Sequence, residues 1–334
     1  MTLKHLMLST LSASLLIGCS SDVSSDKSKD TSGNAVTEAV SIDVPNLDEA
    51  ISAGSLSGLY RNAGEGSPVI LIVPGSGPTD LNGNNSLGVT ANSYKLLAET
   101  LSGDGISTIR VDKRGMFSSA GAGNPNDVTV DTYAQDYKNW AAAIRAETGQ
   151  SCVYMLGHSE GALMVTAAAI GNDDVCGLIL IAGVGRSFGD VLREQLKANP
   201  ANFIIMKEAE AAIAALEAGE QVETGSLHPG LQGLFGRSVQ GFLISLMQAD
   251  PAALAKEANK DTLIIQGQND LQVSVKDAEK LAAATGGKLV IIEGMNHVLK
   301  DAPKSRMKNL AVYKRPDLPI SEGVSQAISD FVNP

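Results

Sequence analysis

The sequence predicts an α/β fold with a mostly parallel sheet. Six short runs rich in Ile, Leu and Val, each bounded by Gly, Pro or Asp, alternate with longer helical stretches. Continuous rather than alternating hydrophobicity is typical of strands that are covered by helices on both faces. Alternation of strand and helix along the chain then favours parallel neighbours. The predicted strands are residues 68–74, 106–112, 152–157, 177–183, 262–267 and 288–294.

Two earlier segments and several helices complete the predicted core. Residues 41–45 and 54–61 are expected to form an antiparallel start to the sheet. The predicted helix at residues 131–147 begins at an Asp cap and ends before Gly149, and the predicted helix at residues 92–102 ends at Gly103. The predicted helices are residues 92–102, 131–147, 161–170, 275–284 and 321–332.

A long interval without a strand pattern separates two of the predicted strands. Residues 189–218 have a helical pattern, and residues 230–247 are apolar with a helical spacing. An insertion of this size after a strand predicts a helical cap, residues 186–260, over a core formed by residues 41–185 and 261–334. Four apolar side chains of this cap are expected to line a substrate pocket: Leu234, Phe235, Phe242 and Met247.

The first residues have the pattern of an export signal. Lys4 and His5 precede a short apolar run that ends at Cys19. The segment 16–19, Leu-Ile-Gly-Cys, resembles the bacterial lipobox, which implies removal of residues 1–18 and acylation of Cys19. The residue after Cys19 is Ser20 rather than Asp, and by the same resemblance this implies attachment to the outer membrane. The alternative is an ordinary signal peptide with an incidental cysteine. Residues 19–40 are rich in Ser, Asp and Lys and predict a flexible tether.

Composition restricts the partners. The net charge of −11 makes nucleic acid an unexpected partner, because an acidic surface repels phosphate backbones. No apolar run is long enough for a lasting transmembrane helix. Cys152 and Cys176 each adjoin a predicted strand, so neighbouring strands would bring them to one edge of the sheet. A disulfide and two buried thiols both remain open.

The chemistry-bearing motif is Gly-His-Ser-Glu-Gly, residues 157–161. By itself this pattern is often no more than a turn between a strand and a helix. Here a predicted strand leads in and a predicted helix leads out, which favours a nucleophilic Ser159 on a sharp turn. Gly157 and Gly161 fit that interpretation, because side chains would clash in so tight a turn.

A nucleophilic serine needs a base, and the base needs an acid that orients it. In this topology the acid and then the histidine follow the serine along the chain. Of four histidines, only His297, just after the last predicted strand, lies in the right place. Asp270 follows the preceding strand and is the predicted acid, although it could instead cap the next helix. Glu293 and Asp301 are the weaker alternatives. No cofactor or metal is expected for this chemistry.

The same chemistry needs two backbone N–H groups to stabilise a developing oxyanion. One is expected from Glu160, directly after the serine, and the other from the glycine-rich loop 74–84. Ser76 and Gly77 are equal candidates in that loop. The carboxylate of Glu160 has no evident role beside an oxyanion. Asp112 and Arg114 are interpreted as a structural ion pair.

Six segments together resemble the α/β-hydrolase superfamily and, within it, bacterial esterases of the serine aminopeptidase-like group. The resemblance extends from about residue 41 to the end of the chain. It implies an α/β-hydrolase fold with Ser159 as nucleophile, Asp270 as acid and His297 as base. It also implies carboxylesterase activity on small to medium acyl esters, through an acyl-enzyme. The segments are residues 74–85, 110–115, 157–161, 234–240, 267–273 and 294–300.

Two other functions remain open. A peptidase of the aminopeptidase type would bind a free α-ammonium with a carboxylate, and the cap offers several on an Ala/Glu-rich helix. Such a helix is more often a solvated face. A non-catalytic, lipid-anchored binding protein is the third possibility, which the intact serine, acid and histidine disfavour. The expected partners are a small ester substrate and a membrane, with the oligomeric state open. The cap carboxylates are Glu208, Glu210, Glu217, Glu220 and Glu223.

Overall fold

The computed structural model describes residues 48–333, which form an eight-stranded sheet. The strands are β1 Asp48–Ala53, β2 Leu56–Arg61, β3 Val69–Val73, β4 Ser107–Val111, β5 Val153–His158, β6 Val175–Ile181, β7 Thr262–Gly267 and β8 Lys288–Ile292. They lie in the sheet in the order β1-β2-β4-β3-β5-β6-β7-β8. β1 pairs with β2 and β2 with β4 in antiparallel fashion, and all the other pairings are parallel.

Helices cover both faces of this sheet. Within the described range they are α1 Ser93–Gly103, α2 Val130–Thr148, α3 Glu160–Ala169, α4 Phe188–Lys197, α5 Met206–Glu217, α6 Pro229–Gln232, α7 Gln240–Gln248, α8 Pro251–Ala258, α9 Val275–Thr285, α10 Arg306–Val312 and α11 Val324–Val332. The predicted class, α/β with a mostly parallel sheet, is therefore confirmed. The predicted signal, Cys19, the tether and the strand at 41–45 lie outside the described residues.

The central strands are hydrophobic throughout because both of their faces are buried. In β3, Leu71 packs into one apolar cluster and Ile70 and Ile72 into another. The first cluster includes residues of α2, α3 and α9, whereas the second includes residues of α1 and α11. All five residues of β3 are buried. This two-sided burial explains why the strand carries no alternating pattern.

The interval between β6 and β7 contains α4 to α8. α4, α5 and α7 contact one another, as expected for a separate helical layer. α8 lies within the range predicted for the cap, but it packs against α3 and α9. Its Ala255 and Ala258 are buried in the main apolar cluster. The last helix of the interval thus belongs with the helices that cover the sheet.

Cys152 and Cys176 are joined in a disulfide, with their Cα atoms 5.2 Å apart. Cys152 directly precedes β5, and Cys176 is the second residue of β6. β5 and β6 are parallel neighbours, and Val153 is paired with Val175. The register of the two strands therefore brings the cysteines together at the amino-terminal edge of the sheet. Among residues 48–333, no helix combines the length and the hydrophobicity needed to cross a bilayer.

Candidate active site

Ser159 stands alone between β5 and α3 in a strained backbone conformation. Its φ of 55° and ψ of −121° lie outside the regions that side chains normally adopt. Its N–H donates to the carbonyl of Ile181 at 2.9 Å, and its carbonyl accepts from the N–H of Ala162 at 3.0 Å. The sharp turn lifts the serine above the carboxyl end of the sheet, where it lines a cavity.

Two glycines make this turn possible. A Cβ on Gly157 would lie 2.4 Å from the carbonyl oxygen of Gly161. A Cβ on Gly161 would lie 2.6 Å from the carbonyl oxygen of Pro74 and 2.7 Å from that of Val73. These neighbours are backbone atoms, which cannot move aside as the end of a side chain can. Both glycines are therefore required by close approach of the chain.

Replacing Gly161 with alanine is expected to destabilise the fold by about 3 kcal/mol, because α3 must move away from β3. The displaced Ser159 should lower the rate on ester substrates by about 100-fold. Urea unfolding and ester kinetics measure the two effects. Gly103→Ala is the matched control, because a Cβ there meets nothing within 4 Å. Equal stability of the two variants would contradict the close packing at the turn.

Asp270 and His297 meet beside Ser159. The Nδ1 of His297 lies 2.8 Å from the Oδ2 of Asp270, and both side chains are buried. Asp270 follows β7 and His297 follows β8, so adjacent parallel strands deliver both residues to one edge of the sheet. Because a carboxylate only accepts hydrogen bonds, Nδ1 carries a proton, and in the neutral imidazole this leaves Nε2 as the acceptor. His297 lines the same cavity as Ser159.

The surroundings keep Asp270 ionised. Burial is the largest single effect and favours the neutral acid, but His297 and two backbone donors together outweigh it, and the pKa of Asp270 is lowered. The backbone N–H groups of Gln272 and Val273 also donate to its Oδ1, at 2.7 Å and 3.0 Å. These donors fix the carboxylate as well as stabilise its charge. Asp270 is thus held as an anion that faces the imidazole.

The alternative acids and histidines lie elsewhere. Glu293 is exposed, and Asp301 accepts a hydrogen bond from the hydroxyl of Ser321 at 2.6 Å. His228 is exposed and accepts from the N–H of Gly230 at the start of α6. His5 is outside the described residues. Of the acids considered from the sequence, Asp270 alone contacts His297 in the described part of the chain.

A second histidine, His158, links the parts of the site without taking a charge. Its Nε2 lies 2.8 Å from the carbonyl oxygen of His297, so Nε2 donates and Nδ1 accepts. Nδ1 lies 2.8 Å from the hydroxyl of Tyr94, which in turn accepts from the N–H of Gly75 at 3.1 Å. Burial, and next the nearby His297, lower the pKa of His158 to about 3. The imidazole therefore stays neutral and connects the loop of Gly75 to the loop of His297.

The cavity around Ser159 is lined by both apolar and polar side chains. α4 contributes Phe188, Val191 and Gln195, and the segment after β6 contributes Val184. Tyr313 lines it as well, and its hydroxyl accepts from the side chain of Gln272 at 3.0 Å. No Asp, Glu, Lys or Arg of the described chain lines this cavity. A neutral ligand with an apolar portion suits such a wall.

The predicted pocket residues require a correction. Leu234, Phe235, Phe242 and Met247 do not line the cavity beside Ser159; all four are buried in the main apolar cluster. Phe242 packs edge-to-face against Tyr133 of α2, with ring centroids 5.7 Å apart. These side chains join the helical layer to the core, and α4 forms the wall instead. The signal in the sequence was the apolar face of α4, which contains Phe188, Val191 and Leu192.

The predicted ion pair between Asp112 and Arg114 is also wrong. The Nε of Arg114 donates to Asp136 at 2.8 Å. Asp112 accepts from the N–H of Leu81 at 2.9 Å and from the hydroxyl of Ser118 at 2.6 Å. Asp112 therefore ties the glycine-rich loop after β3 to the loop after β4, because a carboxylate can serve several donors at once.

The three residues predicted as oxyanion donors, Glu160, Ser76 and Gly77, differ in their position relative to the cavity. Glu160 begins α3 immediately after Ser159, and Ser76 lines the cavity. Gly77 has a φ of 68°, and it is not part of the cavity wall. The N–H of Thr79 donates to the carbonyl of Gly77 at 2.9 Å, and its hydroxyl donates to the carbonyl of Ser76 at 2.9 Å. Thr79 thus stabilises the turn that follows Ser76.

Comparison with known proteins finds similar sequences. Residues 85–226 match the family model described as serine aminopeptidase, S33. Esterase EstD of Thermotoga maritima is 28% identical over 261 residues, which are 74% of this chain and 60% of that protein. The chain thus spans about 60% of the length of this relative.

Solved structures resemble the chain in fold. Est1E of Butyrivibrio proteoclasticus with bound ferulic acid has a TM-score of 0.51 and 16% identity, covering 85% of this chain and 96% of its own. GrgF, an α/β-hydrolase of a Penicillium species, has a TM-score of 0.51 and 17% identity, covering 75% and 90%. The chain therefore has a fold similar to that of α/β-hydrolases, and its sequence is similar to a group that includes an esterase and serine aminopeptidase-like proteins.

Proposed function

We propose that the protein is a serine carboxylesterase that hydrolyses small to medium acyl esters. The observation that carries the proposal is the buried contact of His297 with Asp270 at 2.8 Å beside the strained Ser159, with serine and histidine in one cavity. A histidine with its proton fixed on Nδ1 offers Nε2 as a base toward that cavity. This arrangement suits acyl transfer.

The reaction proceeds in two halves. The Oγ of Ser159 attacks the ester carbonyl carbon while the Nε2 of His297 takes the hydroxyl proton. The C–O bond to the alcohol then breaks, and His297 returns the proton to the leaving alkoxide. Water, deprotonated by His297, attacks the resulting acyl-serine and releases the carboxylic acid. Throughout, the Asp270 carboxylate stabilises the imidazolium form of His297.

The cavity wall supports a neutral ester as the substrate. Val184, Phe188 and Val191 offer apolar contact to an acyl chain or to an alcohol, and Gln195 adds a polar group at the same helix face. A wall without charged groups would leave an ionic substrate desolvated and unpaired, which is costly. The esterase EstD is named for this activity, and Est1E holds ferulic acid in its structure.

The peptidase alternative has less support because the carboxylates of the cap are engaged elsewhere. Glu217 forms two hydrogen bonds of 2.7 Å with Arg193. Glu210 pairs with Lys197 at 3.0 Å, and Glu208 accepts from the N–H of His228 at 2.7 Å. An α-ammonium group would find no carboxylate on the described wall of the cavity. The site is therefore better suited to esters than to free amino-terminal residues.

The decisive experiment measures the hydrolysis of p-nitrophenyl esters, from acetate to decanoate, by the purified protein. Aminoacyl p-nitroanilides are assayed in parallel. We expect turnover of the esters, with a maximum at a short or medium chain, and labelling by a fluorophosphonate that peptide mapping assigns to Ser159. Turnover of the anilides with none of the esters would replace this proposal with the peptidase.

We also propose, from the first residues of the sequence, that the protein is attached to the cell envelope through an acylated Cys19. The segment 16–19 supports this location, and Ser20 supports the outer membrane. Metabolic labelling with an alkyne fatty acid tests it, with Cys19→Ala as the control. Labelling that persists in the Cys19→Ala variant would refute the anchor.

A further inference from the structure

The carboxylate of Glu160 is the unexplained group of the site. It is only 1% exposed and sits on the residue that directly follows the nucleophile. The Nζ of Lys113 lies 3.8 Å from its Oε1, and Lys113 is itself 4% exposed. Lys113 and Glu160 thus form a buried ion pair next to the turn at Ser159. A buried ion pair contributes little net stability in general, because desolvation of both ions offsets their attraction.

Lys113 also contacts the loop that faces Ser159. Its Nζ donates to the carbonyl oxygen of Gly75 at 2.7 Å. This loop lies directly against the nucleophile, since a Cβ on Gly75 would be 3.1 Å from the Cβ of Ser159. The ammonium group of Lys113 therefore contacts both the carboxylate of Glu160, which directly follows Ser159, and the carbonyl of Gly75 in the facing loop.

Gly75 is held on its other side as well. Its N–H donates to the hydroxyl of Tyr94, and Tyr94 is bonded to the neutral His158. Both polar groups of Gly75 are thus bonded to buried side chains. The N–H belongs to the Pro74–Gly75 peptide and the C=O to the Gly75–Ser76 peptide, so rotation of either peptide would break a hydrogen bond to a buried side chain.

The orientation of the Gly75 carbonyl determines that of the next amide. In a planar trans peptide, C=O and N–H point in opposite directions. Lys113 holds the Gly75 carbonyl on the buried side, and so the N–H of Ser76 is turned to the side away from Lys113. Ser76 lines the cavity, whereas Gly77 does not. Of the two candidates in the sequence, Ser76 is therefore the donor that this geometry favours.

We propose that Lys113, held by Glu160, is a positioning residue that turns the Gly75–Ser76 peptide so that the Ser76 N–H stabilises the oxyanion of the reaction. This inference rests on the proposed esterase function. The proposal also explains how the side chain and the backbone N–H of Glu160 can serve different purposes. The backbone N–H serves the oxyanion, while the carboxylate is paired with a cation on the buried side.

The test is Lys113→Met, which keeps the length of the side chain and removes the donor. Loss of one oxyanion donor in other hydrolases costs about 10²–10³ in kcat, and the same loss is expected here with KM within about threefold. Phosphonylation of Ser159 by a fluorophosphonate should slow by a similar factor, because the phosphoryl oxygen also gains negative charge in the five-coordinate transition state in which fluoride is displaced. The exposed Lys256→Met is the matched control and should match the wild type.

A double variant separates positioning from stability. Lys113→Met alone leaves the Glu160 charge buried and unpaired, which should lower the midpoint of thermal unfolding. Lys113→Met with Glu160→Met removes both charges and should restore that midpoint, but kcat should remain low. Recovery of kcat together with the midpoint would show a purely structural role and overturn the inference.

The two proposals fail differently. If the wild type hydrolyses esters and Lys113→Met matches it in kcat and in phosphonylation rate, the positioning role is wrong and the esterase proposal stands. A change confined to KM would likewise contradict it, because an oxyanion donor acts in the transition state. If the wild type neither hydrolyses esters nor reacts with the fluorophosphonate, the esterase proposal fails and the inference fails with it.

Discussion

Replacing Ser159 with alanine is expected to lower kcat on p-nitrophenyl esters by about 10⁴–10⁶-fold, the largest effect of any single change in this protein. The substitution removes the atom that forms the acyl-enzyme, and the residual rate comes from the oxyanion donors and binding alone. The alanine methyl occupies less space than the hydroxymethyl group, so the fold should remain intact. Stopped assays at high enzyme concentration measure the residual rate.

The control for this prediction is Ser305→Ala, an exposed serine whose side chain makes no capping hydrogen bond at the start of α10. It should retain the activity of the wild type. Circular dichroism and the thermal midpoint must be unchanged in both variants. A Ser159→Ala protein that keeps more than about a tenth of the wild-type activity would exclude Ser159 as the nucleophile, because a triad nucleophile cannot be dispensed with.

Replacing Asp270 with asparagine is expected to lower kcat by about 10⁴-fold without large structural change. The asparagine amide can donate to Nδ1 of His297, which favours the tautomer with the proton on Nε2. That tautomer cannot accept the proton of Ser159. The substitution also removes the negative charge that stabilises the imidazolium. The steady-state rate on the best ester of the series gives the magnitude.

Glu293→Gln is the matched control, since Glu293 lies in the loop before His297 but is exposed. It should leave kcat within about twofold, as expected for a surface carboxylate. Equal losses in the two variants would indicate a general effect of negative charge near the site. A loss in Glu293→Gln alone would move the role of the acid away from Asp270.

The positions of most strands along the chain and the turn at Ser159 could be predicted because both depend on short-range signals. Continuous apolar runs identified the parallel strands, since burial on both faces leaves no alternation. The glycines at 157 and 161 identified the sharp turn, since a Cβ there would meet backbone within 2.7 Å. Asp270 and His297 could be proposed as partners of Ser159 because each follows a predicted strand, and parallel strands end at one edge of a sheet.

The lining of the cavity could not be predicted in this way. Phe242 and Phe188 are both apolar residues of the cap interval, and an apolar side chain can be buried equally well in a core or in a cavity wall. Only the packing of α7 against α2, and of α4 over the site, distinguishes them. Sequence composition therefore located the cap without showing which of its faces meets the substrate.

The sequence by itself determined the class of fold and the serine turn, and it supplied the residues that we propose as nucleophile, acid and base. The tertiary structure alone decided which charges meet. Arg114 pairs with Asp136 rather than with Asp112, and Lys113 joins Glu160 to the carbonyl of Gly75. Local patterns arise from the chain's own periodicity, whereas buried charges select partners from distant segments, because in the low-dielectric interior an unpaired charge is too costly to leave.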